Sequence, residues 1–357
     1  MVRTYSVTDQ DQCRSLWEEN MPKRVVTDLW PVRDCFHGRF GRDSNFIVAE
    51  ESGKVVGLIP MSWIPESRCY AFFPGETWHG KTWLEQNRII ARDRGVLDGM
   101  LGCLDGSGAD YHLRYLLPPH HGFSAAVSDR ENCDKLAAVP VLAACEDCPK
   151  ECLLDETGYL FHGAQHGYDF DRYFGSFSGK RAKKIRREME GLESRDLAVR
   201  RGGRDDFETL VGMNIERYGN DSYFADERFA GGFRDLMNLL DDRGWMRMTV
   251  VTVEGVPAAV DLGCVYEGAY TLLAGGTDAR FPGIAKYINL HHIRTACGER
   301  FESVDFLCGE FAWKDTFHLT ARPLFKLTNM DEALLGSFGA DGARRPGAGD
   351  PAEGARS

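Results

Sequence analysis

Between Lys180 and Arg187 six of eight residues are cationic: Lys180, Arg181, Lys183, Lys184, Arg186 and Arg187. Successive residues of a helix turn by about 100°, so these charges cannot share one face and would form a collar around it. Such a collar grips phosphate. The same run also reads as a solvated helix whose charge is balanced by Glu188, Glu190 and Glu193 at i+4-like spacings. Both readings stand on the residues alone.

A second set is Asp305, Glu310 and Lys314. A primary amine with a pKa near ~8–10 is mostly protonated at neutral pH, so its use as a nucleophile needs a carboxylate to hold and relay a proton. Glu310, after an expected strand end and a glycine, suits that role or that of anchoring the amine, and Lys314 can stabilise negative charge on an intermediate or a phosphate. Asp305, in mid-strand, can equally fix a neighbouring loop by hydrogen bonds. Glu310 and Lys314 are also spaced as a surface ion pair.

Gly275, Gly276 and Gly283 bracket a turn that feeds a helix N-terminus, where free N–H groups suit an anion; glycines there serve turns as well. Glu76, Trp78 and His79 lie in a corresponding loop of the first half and form a candidate acceptor pocket. His291 and His292 are adjacent on an expected helix, so only one can face a cleft. Cys145, Cys148 and Cys152, followed by His162 and His166, have metal-like spacing. The CxxC lacks a matching second pair, and the expectation is no metal.

The elements that must position these groups occur twice. Phe46–Glu51 and Val55–Ile59 read as a hairpin, followed by a strand at Cys69–Phe73, a loop, a helix from Gln86 to Leu104 and a strand at Tyr111–Leu116. Met248–Val253 and Ala258–Leu262 repeat the hairpin, followed by a strand at Tyr270–Ala274, a loop with Pro282-Gly283, a helix from Ile284 to Cys297 closed at Gly298, and a strand at Ser303–Leu307. Two amphipathic helices, Asp206–Tyr218 and Glu227–Leu240, precede the second hairpin, and Leu324–Leu327 reads as a further strand. The fold class expected is α+β: two similar domains, 1–150 and 151–335, each a mostly antiparallel twisted sheet flanked by helices. Residues 336–357, rich in Gly and Ala, read as a disordered tail.

Composition narrows the classes. A net charge of −11 argues against a protein that coats nucleic acid, so no DNA partner is expected, although a local basic patch remains compatible with it. No apolar run approaches a membrane span, and the N-terminal residues carry no secretory signal. Eleven scattered cysteines then point to reduced thiols in a cytoplasm.

The order of elements in each copy resembles the GNAT acyltransferase fold. The doubled arrangement, with a long basic helix between copies, resembles the Fem-like aminoacyl transferases and the CelD-type (cellulose-biosynthesis-like) acetyltransferases. The segments that carry the likeness are Tyr173–Arg187, Tyr270–Asp278, Phe281-Pro282-Gly283 and Val304–Lys314, within about Tyr168–Leu327. The resemblance implies an N-acyltransferase with no tightly bound cofactor, using acyl-CoA or aminoacyl-tRNA as co-substrate and the amine of a small molecule or peptide as acceptor. It implies a functional Lys314 and gives the collar (Lys180, Arg181, Lys184 and Arg187) and Gly276 and Gly283 a donor-phosphate role. The chain departs from ordinary GNAT enzymes in lacking their glycine-rich pyrophosphate loop, since Asp278–Ile284 holds a single Gly. That departure leans toward tRNA, the Pro282-Gly283 likeness leans toward the CelD-type acetyltransferases, and the alternative is a noncatalytic tRNA- or anion-binding protein on the same fold.

Overall fold

Both hairpins close on the same turn. Ser52 and Gly53 have φ of 52° and 77°, and Glu254 and Gly255 have φ of 54° and 75°, so each pair supplies the two left-handed residues that a two-residue turn between twisted strands requires. In this computed structural model, residues 1–117, 152–309 and 312–330 are described. The first half runs β1 (Arg3–Val7), α1 (Gln10–Asn20), α2 (Trp30–Phe40), β2 (Ser44–Glu51), β3 (Lys54–Ile64), β4 (Cys69–Phe72), a small β5–β6 hairpin (Thr77–Trp78 and Lys81–Thr82), β7 (Ile90–Ala91), α3 (Arg94–Ser107) and β8 (Asp110–Leu116).

Three elements follow: β9 (Cys152–Phe161), α4 (Phe170–Gly175) and α5 (Gly179–Glu193). The second half runs β10 (Leu197–Arg201), α6 (Phe207–Tyr218), α7 (Glu227–Asp242), β11 (Met246–Val253), β12 (Val256–Tyr266), β13 (Ala269–Thr277), α8 (Ile284–Glu299), β14 (Ser303–Asp305), α9 (Ala312–Thr316) and β15 (Thr320–Thr328).

The strands form one large, mostly antiparallel sheet, and its order is a palindrome. From one edge it reads β1-β2-β3-β4-β8-β15, and from the other β10-β11-β12-β13-β14-β9, with β7 added beside β3. In each half the one parallel pair is the fourth strand with the fifth, β4 with β8 and β13 with β14. The sixth strands are exchanged. β9, which follows the first half in sequence, pairs with β14, whereas β15, from beyond the second half, pairs with β8. β9 and β15 then pair with each other at the centre, Arg322 opposite Gly158.

The equivalent helices α2 and α7 pack against each other across the middle. Phe36 meets Phe233 edge to face at 5.5 Å, and Arg39 Nε donates to Asp235 at 2.6 Å. Gly232 permits this approach, because a Cβ there would stand 2.7 Å from the Phe36 ring. The core they share holds Trp83 and Phe36 of the first half beside Phe229, Leu236, Val260 and Leu273 of the second. Among the described residues no helix is long and apolar enough to cross a membrane.

Several boundaries differ from the sequence expectation. α3 begins at Arg94 rather than Gln86, because Asp93 caps it by accepting the Val96 N–H. α8 runs through Gly298 and ends where Arg300 takes φ of 57°. β14 stops at Asp305, two residues short. β9 (Cys152–Phe161) is not among the strands expected from the sequence. The 150/151 junction, the tail at 336–357, Cys145, Cys148 and Glu310 lie outside the described residues.

Candidate active site

The sheet opens where its parallel pairs part. β13 and β14 pair over three positions, Ala269 with Ser303 to Thr271 with Asp305, and then separate. Just beyond, the register between β12 and β13 slips, so Leu262 faces Ala274 and Gly263 faces Leu272. Leu273 is the extra residue of a bulge, a device that re-aims the backbone at the edge of a site. β4 and β8 part in the same way after Tyr70 and Tyr111.

One segment of the first half, residues 83–87, enters both openings. In the second, the Trp83 indole N–H donates to the Leu273 carbonyl at 3.1 Å, Gln86 Nε2 donates to Asp305 Oδ2 at 2.5 Å, and Glu85 Oε2 accepts the Cys308 N–H at 2.8 Å. In the first, the Asn87 N–H donates to the Tyr115 carbonyl at 2.9 Å and the Leu117 N–H donates back to the Asn87 carbonyl at 3.0 Å. Gln86, Tyr115 and Leu307 hold φ of 66°, 58° and 54° around this junction. Backbone strain of about 1–3 kcal/mol per such residue persists only where the surroundings impose it, and it gathers at functional sites.

Asp305 is buried and both its oxygens are engaged. Oδ2 also accepts from Arg322 Nη1 at 2.8 Å, and Oδ1 accepts the Leu307 N–H at 2.9 Å. Of the two roles open to Asp305, its contacts are those of the residue that fixes the loop. Lys314 is buried as well, and its ammonium donates to the carbonyls of Phe306, Leu307 and Cys308 at 3.0, 2.9 and 2.8 Å. Burial pushes its pKa down, against the pull of Glu85, Cys308 and Asp305. Three carbonyl acceptors require three hydrogens, so the charged form is the one this geometry holds. Lys314 thus grips the turn after β14 with all three of its hydrogens on backbone carbonyls, the contacts of a residue that positions this turn.

Glu85 is a carboxylate that sequence reading missed. It keeps part of its surface open while lying deep against Cys308, Asp305 and Lys314. Burial pushes its pKa up to about 7, reinforced by Asp305 and opposed by the Cys308 hydrogen bond and Lys314. The expected helix start at Gln86 set this residue at a helix border. The capping aspartate at 93 was the signal that Glu85–Arg92 is not helical.

The expected donor residues divide. Lys180, Arg181, Lys183, Lys184, Arg186 and Arg187 are all exposed on α5, and among the described residues none has a carboxylate within ion-pair distance. Glu188 does not balance them; it accepts from Lys286 of α8 at 2.9 Å. The first turn of the collar lies beside the turn between α9 and β15, where Arg181 Nη1 is 3.3 Å from His318 Nε2. Gly283 is at the other end of α5, against Leu192, about 12 Å along the axis from Lys184. Gly276 answers to packing, since a Cβ there would stand 2.7 Å from the Leu210 carbonyl oxygen of α6.

The acceptor set divides too. Glu76 is buried on the wall of a cavity of about 380 Å³ over the first opening, with Arg33, Asn87, His112, Arg114, Asp155 and Lys326 among its neighbours. Glu76 Oε1 accepts the N–H groups of Trp83 and Leu84 at 3.2 and 2.8 Å, so it also shapes the inserted segment. Trp78 and His79 sit instead at the β5–β6 hairpin, His79 exposed at its tip with φ of 47°. His292 is buried with Nε2 2.8 Å from Asp261 Oδ2, whereas His291 lines a hollow between α4, α5 and α8. Among the described residues no group of three His, Cys, Asp or Glu side chains gathers as a metal site.

Residues 179–315 match the family model described as acetyltransferase (GNAT) domain. The match runs from α5 into α9, so it is this part of the second half that is similar to a GNAT domain. The whole fold is similar to that of FemX, with a TM-score of 0.52 at 11% identity, covering 93% of this chain and 99% of that one. It is also similar to L-PGS from Bacillus licheniformis, with a TM-score of 0.51 at 10% identity, covering 93% and 96%. These likenesses are of fold. No curated protein matches the sequence.

Proposed function

We propose that the protein is an N-acyltransferase that moves an acyl or aminoacyl group from a phosphate-bearing carrier to an amine, with the reacting carbonyl at the opening between β13 and β14. The observation that carries this reading is the collar on α5: six exposed cations that have no carboxylate partner among the described residues, with Arg181 beside His318 in the turn between α9 and β15. Uncompensated cations ready to meet a polyanion supply affinity and steering, and that is their use in carrier binding.

The carrier is acyl-CoA or aminoacyl-tRNA, and we favour the latter. The collar is separated from the α8 N-terminus, and a charged ring on an exposed helix fits an extended phosphate backbone better than a single pyrophosphate. The Fem-like enzymes that the sequence resembles use such a carrier. The acceptor is an amine of a small molecule or peptide, and Glu76 is the remaining member of its proposed pocket. Direct attack of the amine needs no enzyme nucleophile, because positioning and charge stabilisation supply the acceleration. Glu310 remains proposed at the site as an anchor for the amine, and Asp305 and Lys314 become positioning residues. In this reading the chain folds as two GNAT-like halves and works in the cytoplasm.

The test is parallel incubation with labelled acetyl-CoA and labelled aminoacyl-tRNA in the presence of small amines. Label is expected to pass from aminoacyl-tRNA, and RNase treatment of the donor is expected to abolish transfer. Transfer from acetyl-CoA alone would reverse the choice of donor. Consumption of neither, with tRNA still bound, would leave a noncatalytic binding protein.

A further inference from the structure

We propose that Glu85, contributed by the first half, is the carboxylate that takes the proton from the attacking amine in the second half's opening. This rests on the acyl-transfer reading above and names the base within it.

The argument is one of place and freedom. Among the described residues at the junction, Asp305 is committed to Gln86, Arg322 and the Leu307 N–H, and Lys314 to three carbonyls. Glu85 Oε2 accepts the Cys308 N–H, the Cys308 thiol also bonds to the carboxylate, and the side chain retains exposed surface. That bond ties it to the third residue beyond β14, where the sheet has just parted. Trp83, two residues earlier, is anchored on the Leu273 bulge across the same opening. Glu85 therefore stands between the two separated strand ends, tied by its side chain to the β14 side alone, at Cys308.

Its charged and titratable neighbours are Asp305 on β14, Lys314 on α9, Cys308 on the following turn, Tyr115 on β8 and Tyr223 before α7. Burial holds both phenols and the thiol well above their ordinary values, so none competes as a base near neutrality. Burial also raises the Glu85 carboxyl, which matches a base to its working pH.

The step balances without a further reactant. Glu85 takes one proton from the ammonium of the acceptor. The freed nitrogen forms the C–N bond as the carrier's C–O or C–S bond breaks, the second N–H proton leaves with that oxygen or sulfur, and Glu85 returns its proton to water.

The experiment measures transfer from both labelled donors to two probes, ethylamine, which is cationic at neutral pH, and hydroxylamine, which is already neutral there. With wild-type protein the ethylamine rate is expected to rise with pH through an inflection near 7, as the Glu85 carboxyl ionises. In Glu85→Gln, which keeps an oxygen for the Cys308 N–H, ethylamine transfer is expected to fall about 100-fold or more and lose that inflection. Hydroxylamine transfer is expected to stay within a few-fold, and Glu85→Asp to restore the inflection. A folded Glu85→Gln protein that keeps both the ethylamine rate and the inflection would overturn the assignment while leaving acyl transfer intact. Equal loss with both amines would overturn it in favour of a structural role. If wild-type protein transfers from neither donor, the acyl-transfer reading fails and this one with it.

Discussion

The indole N–H of Trp83 donates to the carbonyl oxygen of Leu273 at 3.1 Å, joining a first-half segment to the bulge in a second-half strand. The bond gives a buried carbonyl its partner where β14 no longer lies beside β13. Trp83→Phe keeps an aromatic ring in the shared core and removes the donor. It is expected to cost about 1–3 kcal/mol, the penalty for an unmet buried acceptor, read as a lower urea midpoint at unchanged slope.

Lys314 is the central donor of the turn that follows β14. Lys314→Met preserves most of the stem and strips three carbonyls of their hydrogens, so a loss of about 3 kcal/mol or more is expected in urea unfolding. Lys314→Ala should be no milder, because it adds a cavity. A stability unchanged in both variants would contradict the positioning role.

Asp305 and Arg322 form a buried pair at 2.8 Å, with Gln86 as a third member. Asp305→Ala leaves a buried guanidinium without its counter-charge, and about 3–5 kcal/mol of destabilisation is expected. Because Gln86 is bound to Asp305, the first-half segment should loosen too. Hydrogen exchange at the backbone amides of residues 83–87 should then quicken.

Glu85 links stability to pH with a definite sign. Its carboxyl is raised from 4.5 to about 7, so the folded protein holds the proton more tightly than the unfolded chain. The stabilisation is fully present below about pH 4.5 and is lost as the pH rises through 7. Glu85→Gln removes that loss, so at pH 8 the variant is expected to be more stable than the parent by about 2 kcal/mol, allowing for the partly open surface. The difference should close below about pH 4.5 in paired thermal melts.

The α5 collar should answer to salt. If the six cations meet a phosphate backbone, affinity for tRNA falls steeply as salt rises. Each of Lys180→Ala, Lys184→Ala and Arg187→Ala should then reduce the log–log slope by about 0.7–0.9. Fluorescence anisotropy across a salt series measures it, and slopes that do not change would remove the collar from the binding surface.

Much of the architecture could be read from residue order. The two hairpins, both third strands, the helix pair before the second hairpin and α8 carry strong periodicity and Gly-bearing turns, and they form where expected. The repeat was visible because its turn chemistry repeats, Ser52-Gly53 and Glu254-Gly255. The exchange of β9 and β15 was not visible, since which strand completes which half depends on long-range pairing that local pattern does not encode. The site shows the same division. The six cations stood out as a local cluster, and the structure leaves them exposed. Lys314 was legible as a residue but not as a donor to three carbonyls, which depends on where the turn after β14 folds back. Glu85 had no local mark at all, because its meaning comes from a contact with Cys308 in the other half of the chain.

The traded sixth strands also bear on how the molecule is born. During synthesis β8 emerges long before β15, the neighbour that completes its sheet. The early half must therefore wait on the ribosome with an exposed β8 edge until the polypeptide has been extended past Thr328. Shortening the chain ahead of Thr320 would strip the early half of its closing strand, and with it the platform that carries Glu85 toward the late half.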